Sequence, residues 1–185
     1  RYYEKSIQLL MTAAEIYEKE QDWISMADVY GTISQNYLWV AKLDSAEQYI
    51  KKAINVLNSH CDAEEYLMNE IERTGNNSIN IQNHLAAIKL KIDTTKAYIL
   101  QTLASIYQAH GKHADAISTE LEEGRIIESM NDDQLYASHL GALSRYYMID
   151  KQYSKAIECA EQQLILLKNE DKETVLTMLQ LASIY

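Results

Sequence analysis

The sequence contains no proline and only five glycines among its 185 residues. At ordinary usage a chain of this length carries about 9 prolines and roughly 13 glycines. Because sandwiches and barrels of short strands need frequent turn residues, this scarcity excludes all-β architectures. Apolar residues make up 47% of the chain, which is enough for a domain with a buried core and argues against intrinsic disorder. The composition therefore predicts a helical protein.

Basic residues are scarce relative to acidic ones. The chain carries 17 Lys and Arg against 27 Asp and Glu, a formal net charge of −10 at pH 7. This charge repels phosphate, and the tightest basic group, Lys89, Lys91 and Lys96, is interpreted as a solvated helix face. No apolar run approaches the roughly 18 residues that a membrane span needs. We therefore expect neither nucleic-acid binding nor membrane contact from this segment.

Signatures of catalytic and metal sites are missing as well. Cys61 and Cys159 show no metal-ligand spacing, so both are interpreted as buried free thiols. His110 and His113 bracket a glycine, which favours a solvated turn over a metal site. Paired carboxylates are interpreted as exposed helix faces: Glu64–Glu65 and Glu122–Glu123. With no phosphate loop, nucleophile elbow or HExxH sequence, we predict a protein that is not an enzyme and holds no metal or cofactor.

A pattern of large, small and aromatic residues recurs along the chain. Its four copies are Tyr30-x-x-Ile33-Ser34-x-x-Tyr37, Leu100-x-x-Leu103-Ala104-x-x-Tyr107, Leu140-x-x-Leu143-Ser144-x-x-Tyr147 and Met178-x-x-Leu181-Ala182-x-x-Tyr185. Small residues follow the first three copies, at Ala46, Ala116 and Ala156. The gap between Tyr37 and Tyr107 is about twice the other spacings, which predicts a degenerate repeat near Ile71.

These motifs resemble the tetratricopeptide repeat, a helix pair of about 34 residues. The resemblance covers nearly all of the chain, and it implies an all-α fold, a right-handed α-solenoid of antiparallel helix pairs. Three features depart from the family pattern: the first slot lacks Trp, the terminal Pro is absent, and Glu120 replaces a large apolar residue. The positions of the repeat motif divide a single domain, 1–185, into six segments. These are 1–26 (second helix only), 27–60, 61–96 (degenerate), 97–136, 137–174 and 175–185 (first helix only).

Small residues and polar stretches are predicted to set the geometry of each helix pair. Ala116 and Ala156 are expected where neighbouring helices approach most closely. Helices are expected to stop at Gln21–Asp22, Ser59–His60, 74–78, 110–113, 131–133 and 169–172. Gly124, inside a predicted helix, has no explanation in this pattern. Because the chain begins at Arg1 and ends at Tyr185 within an apolar helical pattern, we expect a piece of a longer protein.

The family resemblance implies a concave groove, lined by the first helices of successive pairs, that holds a peptide. Matching this chain to the family's repeat positions places six candidate contacts in that groove: Gln35, Trp39, Asn69, Tyr98, Gln101 and Arg145. The polar side chains suit hydrogen bonding to a peptide main chain. The aromatic side chains, Trp39 and Tyr98, suit anchoring of the peptide. The Lys/Asn/Arg set with which some relatives grip a C-terminal carboxylate is absent, which argues against that specificity.

The resemblance implies a non-catalytic scaffold that binds a protein or peptide. Repeats of 38 to 40 residues are similar to those of bacterial sensory and regulatory proteins, so the leading hypothesis is a sensory or interaction module of a larger signalling protein. Two alternatives stay open: a receptor or regulator of a short peptide pheromone, and a structural spacer that forms a homo-oligomer. A soluble segment in either the cytoplasm or the periplasm is compatible with the sequence.

Overall fold

A computed structural model describes residues 2–74 and 80–167. Within these ranges every regular element is an α-helix. The helices are α1 (Tyr2–Glu20), α2 (Trp23–Trp39), α3 (Leu43–His60), α4 (Ala63–Thr74), α5 (Ile81–Ala109), α6 (His113–Met130), α7 (Asp133–Ile149) and α8 (Tyr153–Leu167). The chain divides into two compact units, an N-terminal unit (Arg1–Thr102) and a C-terminal unit (Leu103–Tyr185). In the described part of the chain no helix is long and apolar enough to cross a membrane.

The helices α2 and α3 form an antiparallel pair in the N-terminal unit. Ser34 Oγ donates a 2.7 Å hydrogen bond to the carbonyl oxygen of Ala46. Four residues earlier on α2, the Tyr30 ring lies 6.0 Å from the ring of Tyr49, which is later on α3. Because residue numbers fall along one helix as they rise along the other, the two helices run in opposite directions.

The C-terminal unit repeats this register in α7 and α8. Ser144 Oγ donates a 2.8 Å hydrogen bond to the carbonyl oxygen of Ala156, so donor and acceptor are 12 residues apart in both pairs. Ala46, Ala116 and Ala156 are fully buried, as expected for sites of close helix approach. An all-α fold of antiparallel helix pairs, with small residues at the contacts, is therefore confirmed.

Short turns with a left-handed residue end most of these helices. The residues with positive φ are Gln21, Ala41, Gly111, Asn131 and Lys151. At four of these turns the residue after the left-handed one donates its backbone N–H to the carbonyl oxygen of a tyrosine five residues earlier, over 2.8 to 2.9 Å. The donor and acceptor residues are Asp22 and Tyr17, Lys42 and Tyr37, Lys112 and Tyr107, and Gln152 and Tyr147. This hydrogen bond is the closing contact of a Schellman motif, which ends a helix without proline.

The sequence predicted some of these helix ends and missed others. The predicted stops at Gln21–Asp22, Ser59–His60, 110–113 and 131–133 are confirmed. The turns at Ala41 and Lys151 were not predicted, although Lys151 lies in the short polar run 150–152. The stop at 169–172, most of the stop at 74–78 and the repeat 175–185 lie outside the described residues.

The long helix α5 differs from the predicted repeat boundaries. It spans 29 residues without interruption, so the boundary predicted between residues 96 and 97 lies inside it. The sequence there contains no glycine, and its polar run 93–96 continues the helix: Thr94 Oγ1 bonds to the carbonyl oxygen of Leu90 (2.8 Å) as an internal helical residue does. The second helix of the predicted repeat 61–96 is thus continuous with the first helix of the next.

Within the N-terminal unit, α5 lies beside α2 and runs parallel to it. Lys91 Nζ is 3.2 Å from Ser25 Oγ near the start of α2. Further along both helices, Thr102 Oγ1 donates to Gln35 Oε1 over 3.3 Å. Residue numbers rise together on the two helices, so α2 and α5 run in the same direction.

One carboxylate joins α4 and α5 to the start of α2. Asp22 is the N-cap of α2 and accepts hydrogen bonds from the Ser25 N–H (3.1 Å) and from the Tyr66 hydroxyl on α4 (3.0 Å). Lys91 Nζ on α5 lies 3.7 Å from the same carboxylate. Burial opposes ionisation, but these hydrogen bonds and the lysine charge outweigh it and hold the pKa of Asp22 below its ordinary value.

Candidate functional site

Four of the six predicted groove residues lie on the neighbouring helices α2 and α5 of the N-terminal unit. We call this set, Gln35 and Trp39 of α2 with Tyr98 and Gln101 of α5, the α2–α5 face. On each helix the two members are three or four residues apart, which places them on the same side of that helix. The hydrogen bond from Thr102 to Gln35 links the two helices.

Close packing between α2 and α5 depends on Gly31. A Cβ atom at this position would lie 3.1 Å from Cε1 of Tyr98, so the glycine lets the tyrosine ring lie against the backbone of α2. Burial raises the pKa of Tyr98, an effect that hydrogen bonds to Thr32 and Thr102 partly offset. The phenol is therefore neutral at physiological pH and forms a fixed wall of the face.

Trp39 is the most exposed aromatic side chain of the α2–α5 face. Its relative exposure is 65%, and Gln101 on the neighbouring helix is also exposed. An indole presents a large apolar surface with one N–H donor, and a carboxamide both donates and accepts hydrogen bonds. This combination suits the side chains and main chain of an extended polypeptide.

The other two predicted contacts lie elsewhere. Asn69 is exposed on α4, beside Trp23 and Tyr66, at the opposite end of α2 from Trp39. Arg145 is exposed on α7 in the C-terminal unit, where its positive charge slightly opposes the rise that burial causes in the pKa of Glu120. The other four candidates lie on the neighbouring helices α2 and α5.

A buried polar cluster, made of Glu120, Glu123 and His139, lies between α6 and α7 in the C-terminal unit. The three residues are 0%, 2% and 4% exposed. His139 Nδ1 is 2.6 Å from Glu123 Oε2 and 3.6 Å from Glu120 Oε1. The first distance is a short hydrogen bond, whereas the second is too long for one. Glu120 has no hydrogen-bond partner at either carboxylate oxygen.

The interpretation of Glu123 as part of an exposed helix face is wrong, although its neighbour Glu122 is exposed. The helical period shows why. Ala116, Glu120, Glu123 and Ile127 are spaced i, i+4, i+7 and i+11, so they share the face of α6 that packs into the core. Once Ala116 is assigned to the core, this spacing alone predicts both buried carboxylates.

The charges in the buried cluster influence one another strongly. Burial raises the pKa of Glu120, and the negative charge of Glu123 raises it further, against the opposing effect of His139. Burial alone would lower the pKa of His139, but the two carboxylates outweigh burial and raise it to about 9. The imidazole therefore carries a positive charge at neutral pH whenever both carboxylates face it.

The same cluster explains Gly124, which the sequence pattern left without a role. A Cβ atom at position 124 would lie 2.4 Å from His139 Nε2, so only glycine leaves room for the imidazole. On another side the ring of Tyr136 stacks on His139 at 5.8 Å. Gly124 and His139 also border a surface groove of about 400 Å³ between α6, α7 and α8.

No protein-family model matches the chain, and no curated protein shows significant similarity to it. Among solved structures it is similar to BtubC (BKLC) from P. vanneervenii, with 16% identity and a TM-score of 0.49 over 100% of this chain and 84% of that one. It is also similar to a STAND signal transduction ATPase with a tetratricopeptide repeat sensor from Pyrococcus horikoshii (21% identity, TM-score 0.45) and to the APC/C hetero-tetramer Cut9–Hcn1 (14%, 0.43). This chain spans 30% and 34% of the latter two chains.

Proposed function

We propose that this chain is a non-catalytic scaffold that binds an extended protein segment along the α2–α5 face. The observation that carries the proposal is the 65% exposed Trp39 beside Gln35 on that face. Tryptophan is among the residues that most often dominate the affinity of protein interfaces. An exposed indole offers a partner a large, rigid apolar surface with one N–H donor.

The polar side chains of the face account for main-chain recognition. Gln101 presents a carboxamide for the N–H and C=O groups of an extended peptide, and Gln35 contributes its Nε2 donors because its Oε1 accepts a hydrogen bond from Thr102. Tyr98 narrows the space between them from the α5 side. The chain's net charge of −10 disfavours acidic segments, so the preferred ligand is a neutral or basic segment with one large apolar side chain to contact Trp39.

In this proposal the scaffold is the sensory or interaction module of a larger regulatory protein. Asn69 and Arg145 are secondary candidates for contacts outside the α2–α5 face. A pheromone-type receptor predicts a ligand-induced change in compactness by solution scattering. A homo-oligomeric spacer instead predicts self-association without any ligand.

Binding of peptides selected from a random library tests the proposal. We expect Trp39→Ala and Gln101→Ala each to weaken the selected ligand at least about tenfold, which corresponds to about 1.4 kcal/mol. The matched control is Leu9→Ala, because Leu9 is 73% exposed in the same unit but lies on α1, off the face. Equal affinity in wild type and Trp39→Ala, or an equal loss in Leu9→Ala, would contradict the proposal.

A further inference from the structure

We infer that the buried cluster of Glu120, Glu123 and His139 is a binding site for one divalent transition-metal ion of the Zn²⁺ or Co²⁺ type. The sequence predicted no metal at these residues, and the proposed site is independent of peptide binding. Its basis is the set of donor atoms and a buried carboxylate without a hydrogen bond.

The three side chains offer suitable donors from two helices. Glu120 and Glu123 are one turn apart on the same face of α6, and His139 faces them from α7. One donor atom from each residue lies within 4.8 Å of the other two. Ligand bonds of about 2.0–2.2 Å place the donors of one ion roughly 3 to 4 Å apart. Small side-chain rotations would therefore bring these donors to coordinating distance.

Glu120 is the independent sign that the cluster takes a ligand. Its side chain is completely buried, and both carboxylate oxygens lack a hydrogen-bond partner. An ionised carboxylate without a hydrogen bond is costly in a protein core, even with the imidazole of His139 3.6 Å away. Protonation removes the charge but leaves a hydroxyl without an acceptor. A metal ion satisfies the carboxylate directly.

Among the described residues, His139 lies within ion-pair distance of Glu120, at 3.6 Å, whereas Arg145 is exposed and acts from further away. Neither gives the Glu120 carboxylate a hydrogen bond.

The surroundings of His139 orient the proposed ligand atom. The Tyr136 ring stacks on the imidazole, and Gly124 leaves the space that the Nε2 side occupies. Nδ1 is thereby turned toward both carboxylates. Carboxylate and imidazole donors without thiolate suit Zn²⁺, Co²⁺ or Mn²⁺. Fixed orientation of a ligating histidine is characteristic of protein metal sites.

Titration of the whole chain with Zn²⁺ and Co²⁺, after removal of metal with a chelator, tests this site. We expect one ion per chain, a rise in melting temperature, and visible Co²⁺ d–d bands without thiolate charge-transfer bands, which excludes Cys61 and Cys159 as ligands. Glu120→Gln should weaken binding at least about tenfold. Glu122→Gln is the matched control, because Glu122 is exposed on the same helix.

Loss of metal binding must be separated from loss of folding. Glu120→Gln removes a buried charge, so the metal-free variant should be as stable as wild type or more stable while no longer responding to Zn²⁺. If that variant does not fold, Glu123→Gln and the Co²⁺ spectrum of the wild type decide the question. The inference is overturned if the wild type binds no stoichiometric ion, or if Glu120→Gln and Glu122→Gln bind equally well.

Discussion

Single residues at helix contacts account for two features that composition alone did not explain. Gly31 admits the Tyr98 ring, and Gly124 admits the imidazole of His139. Both glycines lie inside helices, where glycine costs about 1 kcal/mol relative to alanine. Their presence is therefore a consequence of tertiary packing rather than of turn geometry.

We expect Gly124→Ala to destabilise the protein by about 1–3 kcal/mol despite the gain in helix propensity. The new methyl group would overlap His139, which its 2.6 Å bond to Glu123 holds in place. Chemical denaturation gives the change in unfolding free energy. Gly141→Ala is the comparison, because its methyl group would meet the flexible end of Gln163 and should cost less. A Gly124→Ala protein more stable than wild type would contradict this packing.

The burial of Glu120 and Glu123 can be predicted from the sequence, whereas their pairing with His139 cannot. The spacing of Ala116, Glu120, Glu123 and Ile127 predicts that all four share the core face of α6. The pairing with His139 is not predictable in the same way, because it depends on how α7 packs against α6. The role of Gly124 depends on that same packing, which is why no local pattern indicated it.

At the scale of helices and turns, most of the fold follows from short-range pattern. The recurring small residues lie at contacts within their helix pairs: Ser34 with Ala46, and Ser144 with Ala156. The continuous α5 was not predicted, because the spacing of tyrosines counts residues between repeats but does not show where a helix stops. Residues 93–96 form a polar run without glycine, and this run does not end the helix.

The left-handed turn residues predict opposite effects of two substitutions. Ala41 has φ of 56° and Gly111 has φ of 72°. Since a non-glycine residue pays roughly 1–2 kcal/mol in this conformation, we expect Ala41→Gly to stabilise the protein by about 1 kcal/mol and Gly111→Ala to destabilise it similarly. No atom would obstruct the new methyl group at Gly111. Thermal melts that shift both variants in the same direction would contradict the assignment of these turns.

Small residues at helix contacts predict a penalty for added volume. Ala116 is completely buried, so we expect Ala116→Leu to cost about 1–3 kcal/mol by overpacking. Ala114→Leu is the matched control, because Ala114 is exposed on the same helix and should tolerate the larger side chain. Denaturant titration measures both. Equal stability of the two variants would show that Ala116 is not at a close helix contact.

At the scale of the whole chain, the two compact units carry different features. The N-terminal unit holds the α2–α5 face with its exposed indole, and the C-terminal unit holds the buried cluster of two carboxylates and an imidazole. Four of the six groove residues expected from the repeat pattern lie on the neighbouring helices α2 and α5. The ligand itself could not be predicted, since a face of glutamines and one tryptophan is compatible with many extended segments.

Fluorescence of Trp39 tests the central claim most directly. The chain has two tryptophans, and Trp23→Tyr leaves Trp39 as the only indole while retaining an aromatic ring to stack on His60. When a library-selected peptide without tryptophan binds, the account predicts a blue shift of the Trp39 emission that saturates with the binding isotherm, because the ligand removes the indole from water. Saturable binding with unchanged emission would place the ligand away from the α2–α5 face and contradict the account.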